Sequence, residues 1–160
     1  MNLFGVALNL LIVGCGQDVD SAGETTTALE MAERIDGSCG LRLNKFNAHR
    51  LGTLDWKYDA DAEALVFLDA GDLSGYGKVA WAEIQGSRGM RVWLDWSDEP
   101  GRWHQCGPFT IDGSQGPFNR YTWAIDQHDP KRYFRACGDL GAGMGGAKCT
   151  SWHHATEHPL

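Results

Sequence analysis

The sequence predicts an all-β fold: an antiparallel β-sandwich or barrel of about seven short strands, behind a short N-terminal helix or tether. Three observations carry this expectation. Seven tryptophans and 21 glycines stand against only five prolines, a composition suited to short strands joined by tight turns. From Leu41 onward the apolar period is two rather than helical. Four cysteines lie in that region or just before it, Cys39, Cys106, Cys137 and Cys149, enough for two disulfides.

Size and charge set the outer bounds. The 160 residues are one domain's worth, with no room for a large multi-domain enzyme. Asp and Glu exceed Lys and Arg by 21 to 14, a net charge of −7. A nucleic-acid partner is therefore not expected, since such binders need a basic face to displace phosphate counterions. Hydrophobic residues at 42% and aromatic residues at 11% supply a core, which excludes wholesale disorder.

Residues 1–15 read as a signal peptide. Met1 to Gly14 (MNLFGVALNLLIVG) is uncharged and nearly all apolar, yet shorter than the roughly 20 residues that a spanning helix needs. Leu11-Ile12-Val13-Gly14-Cys15 resembles a bacterial lipobox, which would leave Cys15 to carry lipid. No Lys or Arg precedes the apolar run, a departure from the usual export signal. Residues 16–38 read as a polar tether, within which Ala28 to Ile35 (ALEMAERI) suits two helical turns stopped by Asp36-Gly37-Ser38. The expected location is secreted or lipid-anchored at the bacterial cell surface, with the membrane reached only through that lipid.

Residues 39–152 form the expected disulfide-bonded β domain, and residues 153–160 a flexible tail. Leu41, Leu43 and Lys45 alternate with Arg42, Asn44 and Phe46. Thr53 to Tyr58 and Ala64 to Leu68 flank a turn-like DADAE. Val79 to Ile84, Arg91 to Trp96, Asn119 to Asp126 and Arg132 to Cys137 are further runs bounded by Gly, Asp, Ser or Pro. In the clearest of them, Val92, Leu94 and Trp96 face one way while Arg91, Trp93 and Asp95 face the other. If Cys15 is lipidated, the remaining four cysteines allow three disulfide connectivities. Cys137–Cys149, around a short glycine-packed loop, is the first choice, with Cys39–Cys106 as the second pair. A bridge closing a loop of about 15 residues is worth about 3 kcal/mol, and a longer loop somewhat more. Structural zinc is disfavoured, because no pair has the two-to-four-residue spacing.

Motifs of catalysis and cofactor binding fail on context. His154 to His158 matches H-x-x-E-H, the inverted zinc-protease helix, but only Pro159 and Leu160 follow. Gly141 to Gly146 satisfies G-x-G-x-x-G without the βαβ unit that a dinucleotide site requires. Asp59, Asp61 and Glu63 alternate like a calcium loop, but Ala64 and Ala70 occupy the positions that need Gly and Glu. Asp126, His128 and Asp129 offer acid–base or metal-binding groups beside Pro130, where a plain turn is the preferred reading. No serine sits in a G-x-S-x-G setting. The expectation is therefore no catalytic residue, no metal and no cofactor.

Tryptophan is the stronger signal. With Val92, Leu94 and Trp96 turned inward, Trp93 points outward between Arg91 and Asp95, and Trp81 and Trp123 are read likewise. Outward rings bordered by polar groups form a platform on which a sugar stacks while those groups meet its hydroxyls. The expected ligand-binding residues are Trp81, Trp93, Asp95, Tyr121 and Trp123. The alternative is a sheet buried on both faces, or rings covered by loops.

Val79-Ala-Trp-Ala-Glu-Ile84, Val92-Trp-Leu-Asp-Trp-Ser97, Gly101-Arg-Trp103, Arg135-Ala-Cys-Gly138 and Cys149-Thr-Ser-Trp152 occur in the same order in a module of bacterial secreted proteins. Over residues 79–152 the chain is similar to the non-catalytic portion found beside family-76 glycoside hydrolase domains. Ser97-Asp-Glu-Pro-Gly-Arg-Trp103 also resembles a shortened Asp-box hairpin, with the threonine missing and one residue fewer. The resemblance implies an exported accessory module and carries over no catalytic residue. The expected partner is an extracellular glycan. The alternative is a surface protein, bound or inhibited through the Gly loop 138–148.

Overall fold

The computed structural model describes residues 33–35, 39–99, 101–140 and 146–157. They form an antiparallel β-sandwich, as the period-two runs predict, but with ten strands rather than seven. In chain order these are β1 (Glu33–Ile35), β2 (His49–Asp59), β3 (Ala64–Leu73), β4 (Gly77–Gln85), β5 (Arg91–Glu99), β6 (Arg102–Thr110), β7 (Asn119–Tyr121), β8 (Ile125–Asp126), β9 (Tyr133–Asp139) and β10 (Ala147–Cys149). The first sheet runs β1-β6-β5-β9-β10, and the second runs β2-β3-β4-β7 with β8 also on β4. All strand pairs are antiparallel except β1, which lies parallel to β6.

Alternation places the core. Val66, Leu68 and Ala70 of β3 and Ala80, Ala82 and Ile84 of β4 face Val92, Leu94 and Trp96 of β5 and Phe134 and Ala136 of β9. The inward Val92–Leu94–Trp96 face is thus where the sequence placed it. Small residues let the layers approach: a Cβ on Gly138 would stand 2.5 Å from Val66 Cγ2.

Three local expectations differ from the fold, and β6 is a strand with no counterpart among them. Glu33–Ile35, the end of the predicted helical turns, is strand β1, paired along β6. Leu41–Phe46 is not a strand: residues 40–41 turn, and Lys45–Asn47 form a single 3₁₀ turn capped by the Asn44 side chain on Phe46 N (3.0 Å). The run Asn119–Asp126 breaks between β7 and β8 because Thr122 bonds Ala82 twice. Its N–H donates to Ala82 O, and its hydroxyl accepts from Ala82 N, both at 3.0 Å. Thr150 repeats this device on Ala136 in the other sheet. Strand β6 has no apolar alternation of its own, and pairing with β5 makes it a strand.

The turns follow their side chains. Asp59 Oδ1 accepts from the N–H of Asp61 and of Ala62 (3.0 Å each), an Asx turn in the β2–β3 hairpin and not a calcium loop. In the Asp-box-like turn joining β5 and β6, the buried Ser97 hydroxyl lies 2.6 Å from the carbonyl oxygens of both Glu99 and Arg102. Residues 153–157, expected to begin a tail, pack onto the sandwich instead. His153 bridges Phe134, and buried Ala155 donates its N–H to Gln127 Oε1 (2.7 Å).

Both disulfides take the preferred pairing, Cys39–Cys106 and Cys137–Cys149. The second is a cross-strand rung between β9 and β10. The first ties the segment leading into β2 to β6 of the opposite sheet. That segment then crosses the outer face of the second sheet, where Leu43 O accepts from Ala124 N (2.8 Å). Beneath it Leu43, Leu73, Val79, Trp81 and Ala124 form a second apolar cluster.

The two bridges close loops of 67 and 12 residues. Chain entropy then assigns about 4 kcal/mol to the first and about 3 kcal/mol to the second. Urea unfolding of the Cys39→Ala/Cys106→Ala and Cys137→Ala/Cys149→Ala pairs is expected to show the larger loss for the first.

Candidate functional site

The outer face of the second sheet is only half covered by residues 39–48. The other half presents two rows of side chains across the strands. Register aligns Trp56 of β2 with Phe67 of β3, Phe67 with Glu83 of β4, and Glu83 with Tyr121 of β7. The next row is Tyr58, Leu65, Gln85 and Asn119. Three inter-strand steps make each row about 14 Å long. Trp56 is 50% exposed, Tyr58 55%, and Phe46, standing over the end of the first row, 65%. Phe46 meets the Tyr121 ring edge-on, with centroids 5.7 Å apart.

Two irregularities in β2 turn these rings outward. Leu51 and Leu54 are extra residues in the pairing with β3, at register shifts between Arg50 and Gly52 and between Thr53 and Asp55. Leu54 is buried in the core. Strict alternation from Leu54 would send Trp56 and Tyr58 inward with it, whereas the second shift returns them to the outer face. The Asx hairpin at Asp59 then pairs them with Phe67 and Leu65.

Charged groups border the aromatic rows. Asp69, fully buried, accepts through Oδ1 from Arg50 Nη2 and from the Thr53 hydroxyl, both at 2.7 Å. Lys45 Nζ lies 3.0 Å from the Tyr121 ring centroid and 3.9 Å from Glu83 Oε2. Burial lowers the Lys45 ammonium from 10.5 to about 8, against the Glu83 and Asp69 carboxylates, which favour the charge. Glu83 Oε1 also accepts from Gln85 Nε2 (2.9 Å). At the free edge of β7 the face runs into a pocket of about 140 Å³ that Lys45, Phe46, Tyr121 and Trp123 help to line.

Of the five residues predicted to bind ligand, the structure brings Tyr121 and Trp123 to this face and pocket. Trp81 is a correction: it lies on the outward side of β4, but the 39–48 segment covers it and leaves 2% exposed. Its ring rests on Gly71, where a Cβ would stand 3.0 Å from the indole. Asp95 is a second correction. It is 2% exposed on the outer face of the first sheet, accepting from Arg135 Nε (3.0 Å). The Arg135 guanidinium stands 5.6 Å from the Trp103 ring and 4.7 Å from that of Trp152. Trp93 belongs to that same sheet, half-buried and paired with Cys137 of β9, not on the face that carries Tyr121. Sequence reasoning missed Trp56, Tyr58 and Phe67. The legible signal was Trp56-Lys57-Tyr58 succeeded, across a hairpin turn, by Leu65-Val66-Phe67.

The remaining motifs do not assemble a reactive centre. Exposed His128 and Asp126 line a cleft of about 310 Å³ with Trp96 and Arg132. The Asp126 carboxylate is held by Arg132 Nη1 (3.2 Å), and Asp129 Oδ1 accepts from Lys131 N (2.8 Å) in a turn. Among the described residues no three His, Cys, Asp or Glu side chains group as metal ligands. His154 Nδ1 lies 2.9 Å from Arg132 O, and residues 153–157 are not helical. Cys15, residues 141–145 of the Gly loop and His158 lie outside the described residues. Among the described residues no helix is long and apolar enough to cross a membrane.

With its indole sealed, Trp81→Ala is expected to cost about 3–5 kcal/mol by chemical denaturation, against less than about 1 kcal/mol for exposed Trp56→Ala. Asp95→Ala removes a buried carboxylate partner of Arg135 and is expected to cost about 3–5 kcal/mol, read from the same curves. Between about pH 8 and 10.5 the unfolded chain holds the Lys45 proton and the folded chain sheds it. Stability therefore gains from Lys45 as pH rises through that window, and Lys45→Met is expected to remove the gain from a urea-midpoint profile.

No protein-family model, no curated protein and no solved structure matches the chain, so the geometry of this face carries the functional reading.

Proposed function

We propose that the protein is an exported, non-catalytic domain that binds extracellular carbohydrate on the outer face of its second sheet. The single observation that carries this is the row Trp56–Phe67–Glu83–Tyr121, with half-exposed rings at one end and Phe46 over the other. Flat aromatic faces stack on the C–H faces of pyranose rings, and the amides of Gln85 and Asn119 supply acceptors and donors for hydroxyls. A length of about 14 Å suits an internal stretch of an extended polysaccharide better than one terminal sugar. Two disulfides favour an oxidising compartment. The likeness of residues 79–152 to a module beside glycoside hydrolases agrees with an accessory role, and Cys15 is the proposed lipid attachment point.

Intrinsic tryptophan fluorescence of the oxidised chain, titrated with soluble polysaccharides, tests the proposal. A saturable shift is expected, and Trp56→Ala or Tyr58→Ala should weaken binding by about 2 kcal/mol, roughly thirtyfold in Kd. Trp93→Ala, on the other sheet, should leave Kd unchanged. A flat response from folded protein across neutral and acidic polysaccharides would overturn it.

A further inference from the structure

We infer that the glycan held on this face carries an anionic group, received by the pocket at the free edge of β7. This rests on the carbohydrate reading above and names the class of sugar. The pocket's lining includes two cations, Lys45 and Arg120, and no acid. That local sign opposes the rest of a chain whose net charge is −7. Lys45 pairs with Glu83 (3.9 Å) and Arg120 with Asp112 (3.3 Å), but both carboxylates stand outside the lining, so the pocket wall itself presents cations to a ligand.

The donors are positioned but under-used. Arg120 stands with its guanidinium carbon 5.8 Å from the Phe109 ring. Its Nη1 faces Asp112 Oδ1 at 3.3 Å and donates to the Ser114 hydroxyl. Its Nε is buried, and among the described residues no group accepts from it. Lys45 Nζ is 3.9 Å from Glu83, beyond hydrogen-bond length, and rests on the Tyr121 ring. Asn44 and Gln115 add amide groups, while Phe46 and Trp123 supply apolar walls continuous with the aromatic rows. A carboxylate, phosphate or sulfate ester on a sugar meets this donor set with charge-assisted hydrogen bonds, whereas a neutral hydroxyl gains no ionic attraction from either cation.

The groups facing Lys45 are Glu83 from β4, Asp69 from β3, Arg50 from β2 and Tyr121 from β7. Because the Lys45 ammonium titrates near 8 in the free protein, binding of an anionic sugar should weaken as pH rises above that value.

Calorimetric titration of the oxidised 160-residue chain with dextran and mannan as neutral probes, and polygalacturonate, dextran sulfate and phosphorylated mannan as acidic ones, tests the inference. At least one acidic polymer is expected to bind about tenfold tighter than its neutral counterpart. The three acidic arms separate uronate, sulfate and phosphate. Added salt should weaken that binding, and Arg120→Gln should lower acidic affinity about tenfold while sparing neutral affinity. If Arg120→Gln melts early, Lys45→Met read in the same arms replaces it. Equal affinity for neutral and acidic polymers, unchanged by either variant, would overturn the inference and leave the carbohydrate reading standing. No binding to any polymer by folded protein would remove both.

Discussion

The placement of residues 39–48 is the constraint on which the rest of the molecule depends. Cys39 is bonded to Cys106 in the first sheet, so the chain starts its path toward β2 anchored to the opposite layer. From there it crosses the outside of the second sheet, pinned by the backbone bond between Leu43 and Ala124. This laying-on of a third layer creates the small cluster around Val79 and Trp81. The second sheet is therefore buried on both sides along half its length and on one side along the other half. That division separates structural from accessible aromatic residues: Trp81 is sealed, while Trp56 and Tyr58, two strands away, stay open.

The open half is a product of strand irregularity. Each extra residue in β2 shifts the inside–outside phase of the remaining strand by one position. The first leaves Arg50 and Thr53 together on the outer side, where both reach Asp69. The second lets Leu54 enter the core while Trp56 leaves it. The same bulges twist β2, an edge strand among the described residues, where a long flat edge would otherwise invite pairing with another chain. A charge-lined boundary beside an aromatic plane is thus a consequence of one device used twice.

The outer face of the first sheet uses tryptophan to hold an ion pair. Arg135 reaches Asp95 while lying against Trp103 and Trp152. Stacking against indole suits a weakly hydrated guanidinium and keeps the carboxylate contact dry. Such a buried ion pair adds little net stability against an apolar replacement, yet removing one partner is costly. It fixes the register of β5 against β9, while the neighbouring Cys137–Cys149 rung secures β9 against β10.

Local chemistry determined much of this in advance. Period-two runs gave the sandwich and the inward face of β5, glycine and aspartate marked the hairpins, and cysteine number and spacing favoured the two bridges that form. Those features depend on residues near in sequence, whose preferences survive folding. Which outward tryptophan meets solvent was not legible, because exposure is a property of what lies above a side chain. Trp81 and Trp123 look alike in sequence, and only the covering segment tells them apart. Nor could alternation alone give the phase of β2, since a bulge is a mismatch between two strands and has no signature in either one. The sequence determined the sheets and their staples; tertiary structure decided which half of one sheet the crossing segment leaves uncovered, because that depends on the crossing chain and the pairing register.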